Sequence, residues 1–257
     1  MGEFKGKVAV VAGGSRGIGR ATAEALAREG AQIVLAAHSA DNLAATVKKI
    51  VQLGAPEPLA VAGDLRKLDA CEALFKRVSE RFKRCDILIN SAGATKAGAF
   101  ADLPDDAWHD GFALKFFSCV RCCRLFWPLL KEAKGKVVNI DGGAARTPDP
   151  QFMIGGSVNA AMANFSKALA GLGKRDGVNV NVIHPGTTET DRVVQLFAQR
   201  AAASGKTPDE VRAQAVKDGM GKPEDVAELA LFLCSERAIH IQGTAIAVDG
   251  GSTPGLY

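Results

Sequence analysis

Tyrosine is almost missing from this chain: of 257 residues only Tyr257, the last, is a tyrosine, and only two are tryptophan. No internal phenol is therefore available as an acid or base. No apolar run is long enough to span a bilayer, and the opening "MGEFKGKVAV" lacks the hydrophobic stretch of a secretion signal. A cytoplasmic protein with no membrane partner is expected. The six cysteines (Cys71, Cys85, Cys119, Cys122, Cys123 and Cys234) show no paired CxxC spacing, which speaks against structural zinc. In a reducing compartment they should stay free thiols. Neither charge sign dominates: the net charge is +4, and "RFKR" (81–84) and "RCCR" (121–124) are too short for a nucleic-acid footprint.

What is present is ordinary globular composition, 47% hydrophobic and 23% charged, long enough for one large α/β domain over 1–257. Short runs rich in Val and Ile recur: "KVAVVAG" (7–13), "AQIVLAA" (31–37), "EPLAVAG" (57–63), "CDILINSAG" (85–93), "GKVVNID" (135–141), "GVNVNVIHPG" (177–186) and "GTAIAVDGG" (243–251). Continuous apolar runs of this kind predict parallel strands buried on both faces. Between them lie amphipathic stretches, 17–30, 39–54, 64–82, 104–133 and 223–235, the first two ending at Gly30 and Gly54 as helices commonly do. The alternation predicts a Rossmann-like, doubly wound, seven-stranded parallel sheet with helices on both faces. Cys119, Cys122 and Cys123 share one helix face and read as a buried stripe.

The first run leads into "AGGSRGIG" (12–19). Gly13 allows the tight turn, Gly17 lets backbone approach a pyrophosphate, and Gly19 lets helix pack on sheet. The helix N-terminus then offers free N–H groups to phosphates. The second run ends in Ala36, Ala37, His38 and Ser39, without the acid that would hold a ribose 2′-hydroxyl and repel a 2′-phosphate. NADP is thus favoured over NAD.

These residues resemble the short-chain dehydrogenase/reductase family, single-domain type, over nearly the whole chain. The family's TGxxxGxG loop is "AGGSRGIG", with Ala12 replacing Thr. Its adenine-contacting acid is Asp64, its NNAG motif is "NSAG" (90–93), its PG motif is Pro185–Gly186, and "VDGG" (248–251) closes the match. The resemblance implies nucleotide contacts at Gly13, Ser15, Arg16, Gly17, Ile18 and Gly19. It implies others at His38, Ser39, Asp64, Leu65, Asn90, Ala92 and Gly93, and at Pro185, Gly186, Thr188 and Thr190. Arg16 stands where similar NADP-preferring members carry a base.

The resemblance also implies hydride transfer between a nicotinamide and a carbonyl or alcohol. A tyrosine handles the proton, a lysine tunes it, a serine binds the reacting oxygen, and an asparagine anchors a water. Counting from "KVVNI" puts Gly142 at the serine position, Gly155 at the tyrosine and Asn159 at the lysine; "NAAM" (159–162) keeps the register. Counting from Trp108 puts Lys115 at the asparagine. Lys167 does not rescue the motif, because Ala163 stands four residues before it. Polar chemistry would then fall to Lys115, Asp141, Asn159 or His184, the last at the carboxyl end of a predicted strand, where such sheets build their sites. His109 and Arg146 read as surface residues, and Ser157 as a helix cap.

The long connection 187–220 corresponds to the family's substrate lid, with Val193, Val194, Leu196 and Phe197 as its apolar wall. Gly142, Gly143, Gly155 and Gly156 should leave space beneath it for a bulky or aromatic small molecule. The family's assembly implies a homotetramer or dimer through 104–133 and 153–172, the second presenting Gly156, Ala160, Ala163, Ala170 and Gly171. Three functions stay open. They are an oxidoreductase of non-standard mechanism, a nucleotide-binding protein without turnover, and a non-redox enzyme (dehydratase, hydrolase or isomerase) on this scaffold.

Overall fold

The computed structural model describes residues 2–254, without the side chains of residues 192, 195, 199, 202 and 203. Tyr257 lies outside the described residues. Each apolar run forms a strand: β1 (Val8–Ala12), β2 (Gln32–Ala37), β3 (Leu59–Ala62), β4 (Ile87–Asn90), β5 (Lys136–Ile140), β6 (Asn179–Pro185) and β7 (Ala245–Val248). They form one sheet in the order β3-β2-β1-β4-β5-β6-β7, every pairing parallel. The helices are α1 (Gly17–Arg28), α2 (Ala40–Gln52), α3 (Leu68–Phe82), α4 (Asp105–Gly111), α5 (Ser118–Ala133), α6 (Met153–Asp176), α7 (Asp191–Ser204), α8 (Pro208–Lys217) and α9 (Pro223–Cys234).

The strands are apolar throughout because both faces are covered. Ala9, Val11, Ile33 and Leu35 pack with α1, α2 and α9. Val8, Val10, Val34 and Ala36 pack with α3, α5 and α6. The cysteine stripe is buried as expected, with Cys119, Cys122 and Cys123 facing the second layer. Strand order reverses between β1, which pairs with β2, and β4. At such a reversal the flanking crossovers leave in opposite directions and open a crevice at the strands' carboxyl ends.

Two local features differ from the sequence reading. The stretch 104–133 is not one α-helix: α4 and α5 are joined by a π-helical segment, Phe112–Phe117. Wider π turns shift which residues face the sheet, and Lys115 lies within this segment. Ser157 is not a cap, since α6 begins four residues earlier with Phe152 in the capping position; Ser157 is exposed. On the same helix, Ala170 faces the core, whereas Gly156, Ala160, Ala163 and Gly171 retain exposure.

Candidate active site

A cavity of about 480 Å³ opens at the reversal point. Its floor is the β1–α1 loop. Gly13 adopts φ +87°, and a Cβ there would stand 2.5 Å from Ala92 N, so only glycine permits both the turn and the approach of "NSAG". Gly13 N donates to Ala36 O at 2.8 Å, and Thr46 Oγ1 donates to Ser15 O at 3.0 Å. The α1 N-terminus carries no side-chain cap and no acid in its first turn. Its first N–H groups and the positive end of its dipole therefore remain available to an anion. Thr190 closes over this loop, its Cγ2 within 3.1 Å of where a Gly17 Cβ would be.

Most of the expected nucleotide residues reach this wall: Gly13, Ser15, Arg16, Gly17 and Ile18 of the loop, with His38, Ser39, Asp64, Leu65, Ala92, Gly93 and Thr190. Gly19 instead serves helix packing, with a Cβ there falling 2.2 Å from Gly13 O. The Asn90 side chain is buried and donates to Asn139 Oδ1 at 2.8 Å, tying β4 to β5, and Asn90 is not among the residues lining this cavity. Pro185, Gly186 and Thr188 are not among the residues lining this cavity; Thr188 Oγ1 donates to Gly186 O at 3.1 Å. Ser39 caps α2, accepting from Asn42 N at 3.2 Å. Arg66, not singled out from the sequence, joins Arg16 and His38 on the wall and pairs with Asp110 at 2.9 Å. Its only sequence signal is its place two residues after Asp64.

At the other end of the cavity the four catalytic candidates converge. Lys115 Nζ donates to Asn159 Oδ1 at 2.6 Å and to Asp141 O at 2.7 Å. The expected pairing of Lys115 with Asp141 is thus a bond to the main chain. The Asp141 carboxylate turns inward, where Oδ1 meets His184 Nδ1 and accepts from Gly142 N. Its Oδ2 is buried without a hydrogen-bond partner. Burial pushes the Asp141 carboxyl above its ordinary value, while His184 and Lys115 pull it partly back. The pair fastens the end of β5 to β6. The surface placement of His109 and Arg146 holds, with Arg146 Nη2 donating to Ala245 O at 2.8 Å.

Gly142 and Gly155 leave no space of their own, against expectation. A Cβ on Gly155 would fall 2.0 Å from the Phe152 ring, and one on Gly142 would fall 2.7 Å from Asn159 Nδ2. Gly156 is tight, with Ala144 O 3.3 Å from its Cβ position, whereas Gly143 has only an ordinary contact at 3.4 Å. Gly93 accommodates the Lys115 stem, whose Cδ lies 2.9 Å from its Cβ position. The room lies elsewhere: a cavity of about 1130 Å³ runs between Phe152 and the 187–220 segment, touching Leu196, Val211 and Ala215. Of the lid residues named from the sequence, Leu196 lines it, Val193 and Phe197 are packed inward, and Val194 points to solvent.

No helix among the described residues is long and apolar enough to cross a membrane. A family model described as enoyl-(acyl carrier protein) reductase matches residues 12–253. The chain is 30% identical to a 3beta-hydroxysteroid dehydrogenase of Mediterraneibacter gnavus, over 98% of this chain and 97% of that one. It superposes on L-sorbose reductase of Gluconobacter frateurii, solved with NADPH and L-sorbose, with a TM-score of 0.91 and 32% identity, over 100% and 99% of the two chains. A short chain dehydrogenase of Burkholderia cenocepacia, solved with NADP, gives a TM-score of 0.86 at 30% identity, over 98% and 100%. The chain belongs to the short-chain dehydrogenase/reductase family.

Proposed function

We propose that this protein is an NADP(H)-dependent oxidoreductase acting on a carbonyl or alcohol, with Lys115 carrying the polar chemistry that a tyrosine–lysine pair carries in the family. The observation behind this reading is the placement of Lys115 Nζ on the cavity wall, held by Asn159 and by the Asp141 carbonyl. The cradle fits the nucleotide: glycine is required at position 13, the α1 N-terminus is uncapped, and Arg16, His38 and Arg66 surround the wall past β2 with no acid at 36–39. Two relatives of this fold are solved with NADPH or NADP. The cofactor, when bound, supplies the hydride for the carbonyl carbon.

The chain's own residues then handle charge and proton. The ammonium of Lys115 stabilises negative charge on the reacting oxygen and holds a proton at Nζ for it. Asp141 and His184, packed behind, keep the carbonyl that Lys115 grips in place. The 187–220 segment with Phe152 forms the wall against which a bulky, largely apolar substrate packs.

Nucleotide binding without turnover is the second reading. The Phe152 ring, filling the space beside Gly155 at the position the family resemblance assigns to a tyrosine, favours it. The readings separate in one experiment. NADPH and NADH are titrated by fluorescence, and oxidation of NADPH is then followed with a panel of ketones, imines and enones. Tighter NADPH binding with turnover is expected. Binding with no turnover across the panel selects the second reading, and no binding defeats both.

A further inference from the structure

We propose that the side-chain amide of Asn159 is the hydrogen-bond donor to the reacting oxygen of the substrate, with Lys115 fixing its orientation. The assignment rests on the oxidoreductase reading above and deepens it. Asn159 is 3% exposed. Its Oδ1 is taken by Lys115 Nζ at 2.6 Å, which decides which end of the amide faces which way. The Nδ2 end points to where residue 142 would carry a side chain, 2.7 Å from that Cβ position. Among the described residues no acceptor receives Nδ2. Nδ2 is not among the described buried atoms that lack a partner, so this donor keeps the access through which a ligand can supply an acceptor. The ligand space is adjacent, because Lys115 and Asp141, both joined to this cluster, line the cavity.

The chemistry has a defined sense. An ammonium bonded to the carbonyl end of an amide polarises it, so its N–H becomes a stronger donor. An amide donates without giving up its proton, so Asn159 stabilises charge on oxygen while leaving protonation to another group. The site should therefore take a group that offers a bare acceptor, a carbonyl oxygen, and disfavour one that presents an N–H at the same place, such as an iminium. Gly142 is the partner of this arrangement: any side chain there would displace the amide.

The test uses acetophenone as the probe and 2-phenylpropene, of the same shape with CH₂ replacing oxygen, as control. Both are titrated into the full-length protein, with and without NADP⁺, while the ¹⁵N-labelled side-chain amide of Asn159 is followed by NMR. Acetophenone should move that signal and bind about tenfold more tightly than the control, one hydrogen bond's worth; Asn159→Asp should abolish the preference. A signal unmoved up to the solubility limit of acetophenone overturns the assignment, as does a preference that survives in the Asp variant. Should that variant not fold, the wild-type signal decides alone. Failure of NADPH to bind defeats the oxidoreductase reading instead, and nucleotide binding with a static Asn159 signal defeats only this assignment.

Discussion

The two ends of the cavity use glycine in opposite ways. At the nucleotide end, Gly13 has a positive φ and its missing side chain lets one backbone approach another, leaving a cradle open to a ligand. At the Lys115 end, the space beside Gly93, Gly142 and Gly155 is occupied by neighbouring side chains: Lys115, Asn159 and the Phe152 ring. The first kind of glycine shapes room for a guest. The second kind is filled from next door: a larger neighbour occupies the volume a side chain would need, as close-packed interiors require.

This contrast can be challenged from both sides. Gly13→Ala should have the largest effect. It forces a side chain into a left-handed backbone and to 2.5 Å from Ala92 N, so stability should fall by about 1–3 kcal/mol and NADPH affinity should collapse in a fluorescence titration. Near-normal affinity would show that the loop adapts and is no fixed cradle. Next in size, Gly155→Tyr puts a phenol at the position that the family resemblance assigns to a tyrosine, but it collides with Phe152. A loss of about 1–3 kcal/mol by chemical denaturation is expected, without gain of reductase activity. The double variant with Phe152→Ala should recover part of the loss; equal stability of the single variant and wild type would mean that the two are not a matched pair.

The smallest effect concerns Asp141. Its carboxyl is raised by burial, so the folded state holds this proton more tightly than the unfolded chain. That contribution is fully present below the ordinary aspartate value and is lost as pH rises through the raised one. Asp141→Asn removes the titration and keeps a group able to accept from Gly142 N. Its stability relative to wild type should therefore increase across that window in urea melts at successive pH values. A difference independent of pH would remove the buried-charge account.

Sequence reasoning reached the fold almost completely, since strands buried on both faces announce themselves as continuous Val- and Ile-rich runs and the crossovers follow from chain geometry. It reached the nucleotide end nearly as well, because a glycine loop between strand and helix leaves little freedom. It failed where direction mattered. A motif gives Asn90 a position but not the inward turn that ties it to Asn139. Ala170 and Val194 face away from where they were expected, because helix rotation over these stretches is set by packing partners distant in sequence. The glycines 142 and 155 read as empty space for the same reason: what fills them, Asn159 and Phe152, is fixed by the bend of the chain into α6. The resemblance sets Lys115 and Asn159 at two positions of one expected site, but their bond is visible only in the structure.

The most direct test is a single-turnover measurement of NADPH oxidation by a carbonyl substrate, comparing wild type with Lys115→Met, each first shown to bind NADPH. The expected result is a loss of about 10²–10³ in rate in the variant, the size of one donor removed from developing charge. Equal rates in the two proteins would contradict a Lys115-centred site.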